Sequence, residues 1–179
     1  MPRTGWLSPP EARAWRQFLR MQGELRSWVG SRLQRETGLS EADYEVLVHL
    51  SEAPGGRLRP SQIGGATQWE KSRISHHVSR MEQRGLVERT ACPTDSRGAL
   101  VAITAEGRQA IERAAPRHVQ HVREAFIDAL TPSQLESLAE IADAVLARLH
   151  EQPGCDPTAG GPTAGDPVAG DPVAGDREP

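Results

Sequence analysis

The sequence holds little from which to build an enzyme or a membrane protein. Aromatic residues are only 4% of the chain, so the core has to be aliphatic. The two cysteines, Cys92 and Cys155, lie in unrelated contexts. They suggest neither a disulfide framework nor metal-ligand spacing, and a reducing cytoplasm is the expected location. No apolar stretch is long enough to span a bilayer, and the first ten residues hold no signal-like run. Glycine-rich phosphate loops, metal-ligand clusters and nucleophile elbows are all missing. No catalytic residue, metal or cofactor is therefore expected. Neither sign of charge dominates, the net value being -3. That total leaves nucleic acid open as a partner, because what counts is where the positive charge sits.

What is present is mostly helix punctuation. Ser8-Pro9-Pro10-Glu11 is a capping box with proline at the first helical position. It opens a helix carrying Trp15, Phe18, Leu19, Leu25, Trp28, Val29 and Leu33, with Gly38 past its end. At about 28 residues and ~40 Å, this apolar face is too long for one small domain to cover, and it calls for a partner chain. Ser40 and Asp43 begin a second helix, whose buried side is Tyr44, Leu47, Val48 and Leu50. A short helix over 60–65 and another over 69–83 follow. The period then changes to two short strands, 86–90 and 99–103, joined by turn residues. Thr104 caps a fifth helix to about residue 130, with a kink or break expected at Pro116. Thr131-Pro132-Ser133-Gln134 caps the last helix, which should bury Leu135, Leu138, Ile141, Val145 and Leu149 along a dimer seam. From Pro153 the chain repeats DPTAG, GPTAG, DPVAG and DPVAG. Regular proline and glycine make this a disordered tail in expectation.

Short helix, turn, helix and hairpin make a winged helix-turn-helix. In segment 69–83, Ile74, Val78 and Met81 form the inward stripe, and His77 beside them is expected to pack. The other faces carry Lys71, Ser72, Arg73, Ser75, His76, Ser79 and Arg80. These donors of varied reach suit the acceptors of a duplex major groove. Glu70 and Glu82 lie near the ends, leaving the middle without negative charge. The plainer alternative is a solvated amphipathic helix, but serine is a poor helix former there, at about half a kcal/mol against alanine. Arg84 joins Lys71 and Arg80 as an expected phosphate contact. On the hairpin tip Arg97 can enter a minor groove, with Asp95 holding it by a charge-assisted hydrogen bond. An ordinary Asp turn with a solvated arginine is the alternative.

Three motifs resemble the MarR family of bacterial regulators: Met81-Glu82-Gln83-Arg84-Gly85-Leu86-Val87-Glu88-Arg89, then Asp95-Ser96-Arg97, then Ile103-Thr104-Ala105-Glu106-Gly107. The family pattern has leucine where Met81 and Ile103 stand. The resemblance implies a mainly α fold with a small β-hairpin wing, made of a winged helix-turn-helix and an α-helical dimerisation region. In domain terms, residues 1–39 are an N-terminal dimerisation helix and 40–104 the DNA-binding lobe. Residues 105–152 are C-terminal dimerisation helices, and 153–179 the tail. It further implies a homodimer on a pseudo-palindromic duplex operator, and repression relieved by a small, often aromatic and anionic, effector between the dimer helices and the lobe. For such a pocket the candidates are Trp15, Trp28, Tyr44, His49 and His118, with His121 and Arg123 nearby in sequence. Dimer core for the tryptophans and solvated surface for the histidines are the alternatives. The N-terminal peroxide-sensing cysteine of one family branch is absent. Two further readings stay open: a winged-helix module that binds protein, and a redox response through Cys92, whose thiolate Arg89 and Arg97 would favour.

Overall fold

The computed structural model describes residues 5–92 and 95–151, with the backbone alone at 92 and 95–98. The repeat segment and the side chains of Cys92, Asp95 and Arg97 lie outside the described residues. Among the described residues the order is α1 (Pro9–Thr37), α2 (Glu41–Glu52), β1 (Arg57–Leu58), α3 (Pro60–Thr67), α4 (Lys71–Gln83), β2 (Val87–Cys92), β3 (Asp95–Ile103), α5 (Ala105–Ala125) and α6 (Pro132–His150). The fold is mainly helical with a small antiparallel sheet, as the sequence indicates.

Capping chemistry sets most helix starts. The Ser8 amide donates to Glu11 at 2.8 Å. Ser40 and Asp43 satisfy each other's amides at 2.9 and 3.1 Å, and Thr131 and Gln134 do the same at 2.9 and 3.3 Å. Each pairing covers amides that the first turn leaves without partners. α4 starts at Lys71 rather than Trp69, because Glu70 is extended at φ -60°, ψ 147°. Its other end is a Schellman closure. Gly85 sits at φ 71°, the Gly85 amide reaches the Glu82 carbonyl at 2.9 Å, and the Leu86 amide reaches the Met81 carbonyl at 3.0 Å.

The wing has three strands, in the order β1-β3-β2. β1 pairs Arg57 with Ala102 and Leu58 with Val101, and the β2–β3 ladder is irregular between Ala91 and Cys92. Thr104 locks the end of β3 to α4, its hydroxyl donating to the Gly85 carbonyl at 2.6 Å. Its oxygen also caps α5 by accepting from the Gly107 amide at 2.9 Å. Here glycine is required by space, since a Cβ on Gly107 would overlap the Leu86 carbonyl oxygen.

The core is aliphatic. Val46, Leu47 and Leu50 of α2 are fully buried among Ile63, Met81 and Val101, with Leu33 and Ile111 closing the cluster from α1 and α5. α5 ends at Ala125, short of residue 130, and a 3-10 turn, Ile127–Ala129, follows. It runs unbroken past Pro116. Pro116 and Glu112 are both exposed, so water can serve the carbonyl that the missing amide leaves open. No residue of α6 is buried in this single chain. Ile141 is 61% and Val145 54% exposed, and Trp15, Phe18 and Leu19 of α1 are also uncovered.

Candidate nucleic-acid interface

α3 and α4 meet across a tight turn at Gln68, which adopts a left-handed φ of 57°. The crossing is close, as a Cβ on Gly64 would come within 2.7 Å of Ile74 Cδ1. α4 buries Ile74, His77, Val78 and Met81, and its opposite side is open to solvent. Lys71, Ser72, Ser75 and His76 are exposed there, and their side-chain polar atoms have no hydrogen bond or ion pair among the described residues.

Two arginines at one edge of that surface, Arg73 and Arg80, are held. Arg73 lies over the Trp69 ring, its guanidinium carbon 4.1 Å from the centroid. Stacking of this kind restricts a long side chain while leaving its N–H groups outward. Arg80 Nη2 donates to His77 Nδ1 at 3.0 Å.

Two expected contacts of this surface, Arg84 and Ser79, also help to hold α4 in place. Arg84 points back into the lobe, donating to Asp43 Oδ2 at 2.6 Å and to the Gly38 carbonyl at 2.8 Å. Its charge therefore neutralises a buried carboxylate, while the side chain stays 44% exposed. Ser79 is half-buried and donates to the Ser75 carbonyl at 2.9 Å, while its oxygen accepts from Arg89 Nη2 at 3.1 Å. Arg89 also pairs with Glu82 at 3.2 Å, fastening β2 to α4. Sequence reasoning missed this clamp. Glu82 and Arg89, seven residues apart across a helix end and a strand, share no periodic signal.

Asp43 is the hub beneath the interface and is 2% exposed. Burial pushes its carboxyl upward, but contacts from His77, Arg84 and Ser40 outweigh this and hold it well below the usual carboxylate range. The His77 Nε2–Asp43 Oδ1 distance is 3.1 Å. That contact is short but bent, and no well-aligned partner exists for Nε2 among the described residues.

The effector candidates do not form one pocket. Tyr44 and His118 stack with centroids 4.4 Å apart at 32°. With His49, Arg26, Glu41, Glu45 and Val48 they line a cleft of about 280 Å³. Burial lowers the His118 pKa, and Arg26 already pairs with Glu41 at 3.0 Å. Trp28 lies elsewhere. It meets His121 edge-on at 6.2 Å and lines a separate groove of about 570 Å³ with Met21, Leu25 and Phe126. Trp15 stacks on Phe18 at 5.9 Å and lines neither space. His121 is buried rather than solvated, 3.1 Å from Glu36, and Arg123 turns to Asp128 at 3.4 Å.

Comparison with known proteins agrees with this geometry. A sequence profile of the MarR family matches residues 37–98. The chain is similar to AbsC, a MarR family transcriptional regulator from Streptomyces coelicolor, at 40% identity and a TM-score of 0.77, covering 83% of this chain and 100% of that one. It is similar to Sco3205, a MarR family regulator from the same organism solved in complex with DNA, at 38% identity and a TM-score of 0.78, covering 86% and 95%. Among curated proteins, the HTH-type transcriptional regulator PrsX of Escherichia coli is 27% identical over 132 residues, 74% of this chain and 76% of that one.

Proposed function

The chain belongs to the MarR family of transcriptional regulators, and we propose that it acts as a homodimeric repressor presenting α4 of each copy to a major groove of a pseudo-palindromic operator. One observation carries this reading: the open side of α4, where Lys71, Ser72, Ser75 and His76 stand unengaged beside two held arginines. Lys71 and Arg80 contact phosphates and set the register, while Ser72, Arg73, Ser75 and His76 meet base edges. Arg97, steadied by Asp95, enters the neighbouring minor groove.

Half-sites about one helical turn apart need two lobes at fixed spacing. The uncovered apolar faces of α1 and α6 support residues 1–39 and 105–152 as the elements that supply it. The cleft at Tyr44, His49 and His118 lies between these helices and the lobe. An aromatic effector stacked there would change lobe spacing and release the operator; its carboxylate, if it bears one, would compete with Glu41 for Arg26. Among the described residues no helix is long and apolar enough to cross a membrane, and a chromosomal target puts the site of action in the cytoplasm.

The test is fluorescence anisotropy on a duplex from the gene's own upstream region, between about 50 and about 200 mM salt. Affinity should fall steeply with salt, and Lys71→Ala should reduce the logarithmic slope by about one. Absent or salt-independent binding would refute the reading and favour a protein-binding module.

A further inference from the structure

We infer that His77 is a positioning residue for DNA binding: its bare Nδ1 holds the Arg80 guanidinium at the angle from which it meets the duplex. The inference rests on α4 being the element that enters the groove.

His77 is 5% exposed, on the buried edge of α4, yet its Nδ1 lies 3.0 Å from Arg80 Nη2. A guanidinium only donates, so Nδ1 carries no proton and the ring N–H belongs to Nε2. That N–H faces Asp43 Oδ1 at 3.1 Å, where a carboxylate favours it even in a bent contact. Two further contacts fix the ring. Trp69 meets it edge-on, centroids 5.2 Å apart at 88°, and Asp43 is itself held by Arg84 and Ser40. The chain Arg84–Asp43–His77–Arg80 thus passes through two buried residues, Asp43 and His77, to an exposed cation on the groove-facing side. An arginine at that place would otherwise sample many rotamers, and ordering it would weaken binding. Trp69 serves the same end twice, with Arg73 on its face and His77 at its edge.

The two amide side chains separate the roles of the ring nitrogens. In His77→Asn the carbonyl oxygen replaces Nδ1 as acceptor for Arg80 and the donation to Asp43 is lost. In His77→Gln the amide N–H can replace Nε2 toward Asp43 and the acceptor for Arg80 is lost. Operator affinity is measured by anisotropy for the full chain, after circular dichroism confirms folding. Arg80→Ala should weaken binding about tenfold, the scale of one charge-assisted contact. His77→Gln should lose nearly as much, the double variant His77→Gln/Arg80→Ala no more than Arg80→Ala alone, and His77→Asn should stay within about twofold of wild type. Full affinity in His77→Gln, or losses that multiply in the double variant, would overturn the inference, as would an Arg80→Ala variant that binds like wild type.

A nitrogen-15 imidazole spectrum checks the link independently of any His77 variant. The resonance that moves on Arg80→Ala should show an unprotonated Nδ1 at neutral pH, and a protonated Nδ1 would overturn the assignment. A wild-type chain that ignores duplex DNA would instead refute the reading of α4, and the spectrum would still decide the His77–Arg80 contact.

Discussion

Replacing Asp43 by asparagine tests how α4 is seated. The change keeps volume and one acceptor but removes the charge that Arg84 and His77 share. Hydrogen bonds to a charged group contribute about 1.5–3 kcal/mol each. Two corrections reduce the sum. The Arg84 side chain is 44% exposed and recovers water, and the neutral amide no longer bears the desolvation of a buried carboxylate. A net loss of about 2 kcal/mol remains, near 4–8 °C in Tm for a chain of this size. The pH profile is the sharper measure. Because the folded carboxyl is held below its usual range, its contribution is complete above the unfolded value near 4 and lost as pH falls toward the folded one. The wild-type advantage, from urea denaturation at matched protein concentration, should therefore be constant from about pH 7 to 5 and shrink below about 4. A loss under about 0.5 kcal/mol, or an advantage that does not change with acid, would refute the account of Asp43 as hub.

Two further outcomes follow from packing. Ile141→Glu, on the uncovered face of α6, should convert the proposed homodimer to monomer by light scattering and lower operator affinity by well over tenfold, because one lobe then binds alone; an intact dimer would exclude this face from the interface. Gly107→Ala places a methyl group against the Leu86 carbonyl and should cost about 2–3 kcal/mol in urea denaturation, whereas near-neutral stability would show that α5 can move away from β2.

Local chemistry is what the sequence makes readable. The Ser8, Ser40 and Thr131 boxes, the glycine closing α4 and the inward Ile74, Val78 and Met81 all lie where short-range pattern places them. So does His77, packed as its neighbours imply. Long-range pairings are not readable. Arg84 pairs with Asp43, 41 residues away, and no short-range pattern shows that contact. The two residues of β1 are too few to show alternation. Trp15 and Trp28 share a helix with the cleft-lining Arg26, but their positions on it turn them elsewhere. The apolar stripe of α6 is plain in sequence, yet one chain leaves Ile141, Val145 and Leu149 uncovered.

Asp43 is at once the third residue of α2's opening turn and the anchor of α4. Tyr44, on the wall of the cleft, is the next residue. Entry of α2 and tilt of α4 are therefore not independent coordinates. A molecule that wedges against Tyr44 and displaces that turn must carry α4 with it or break the contacts that Asp43 makes to Arg84 and His77.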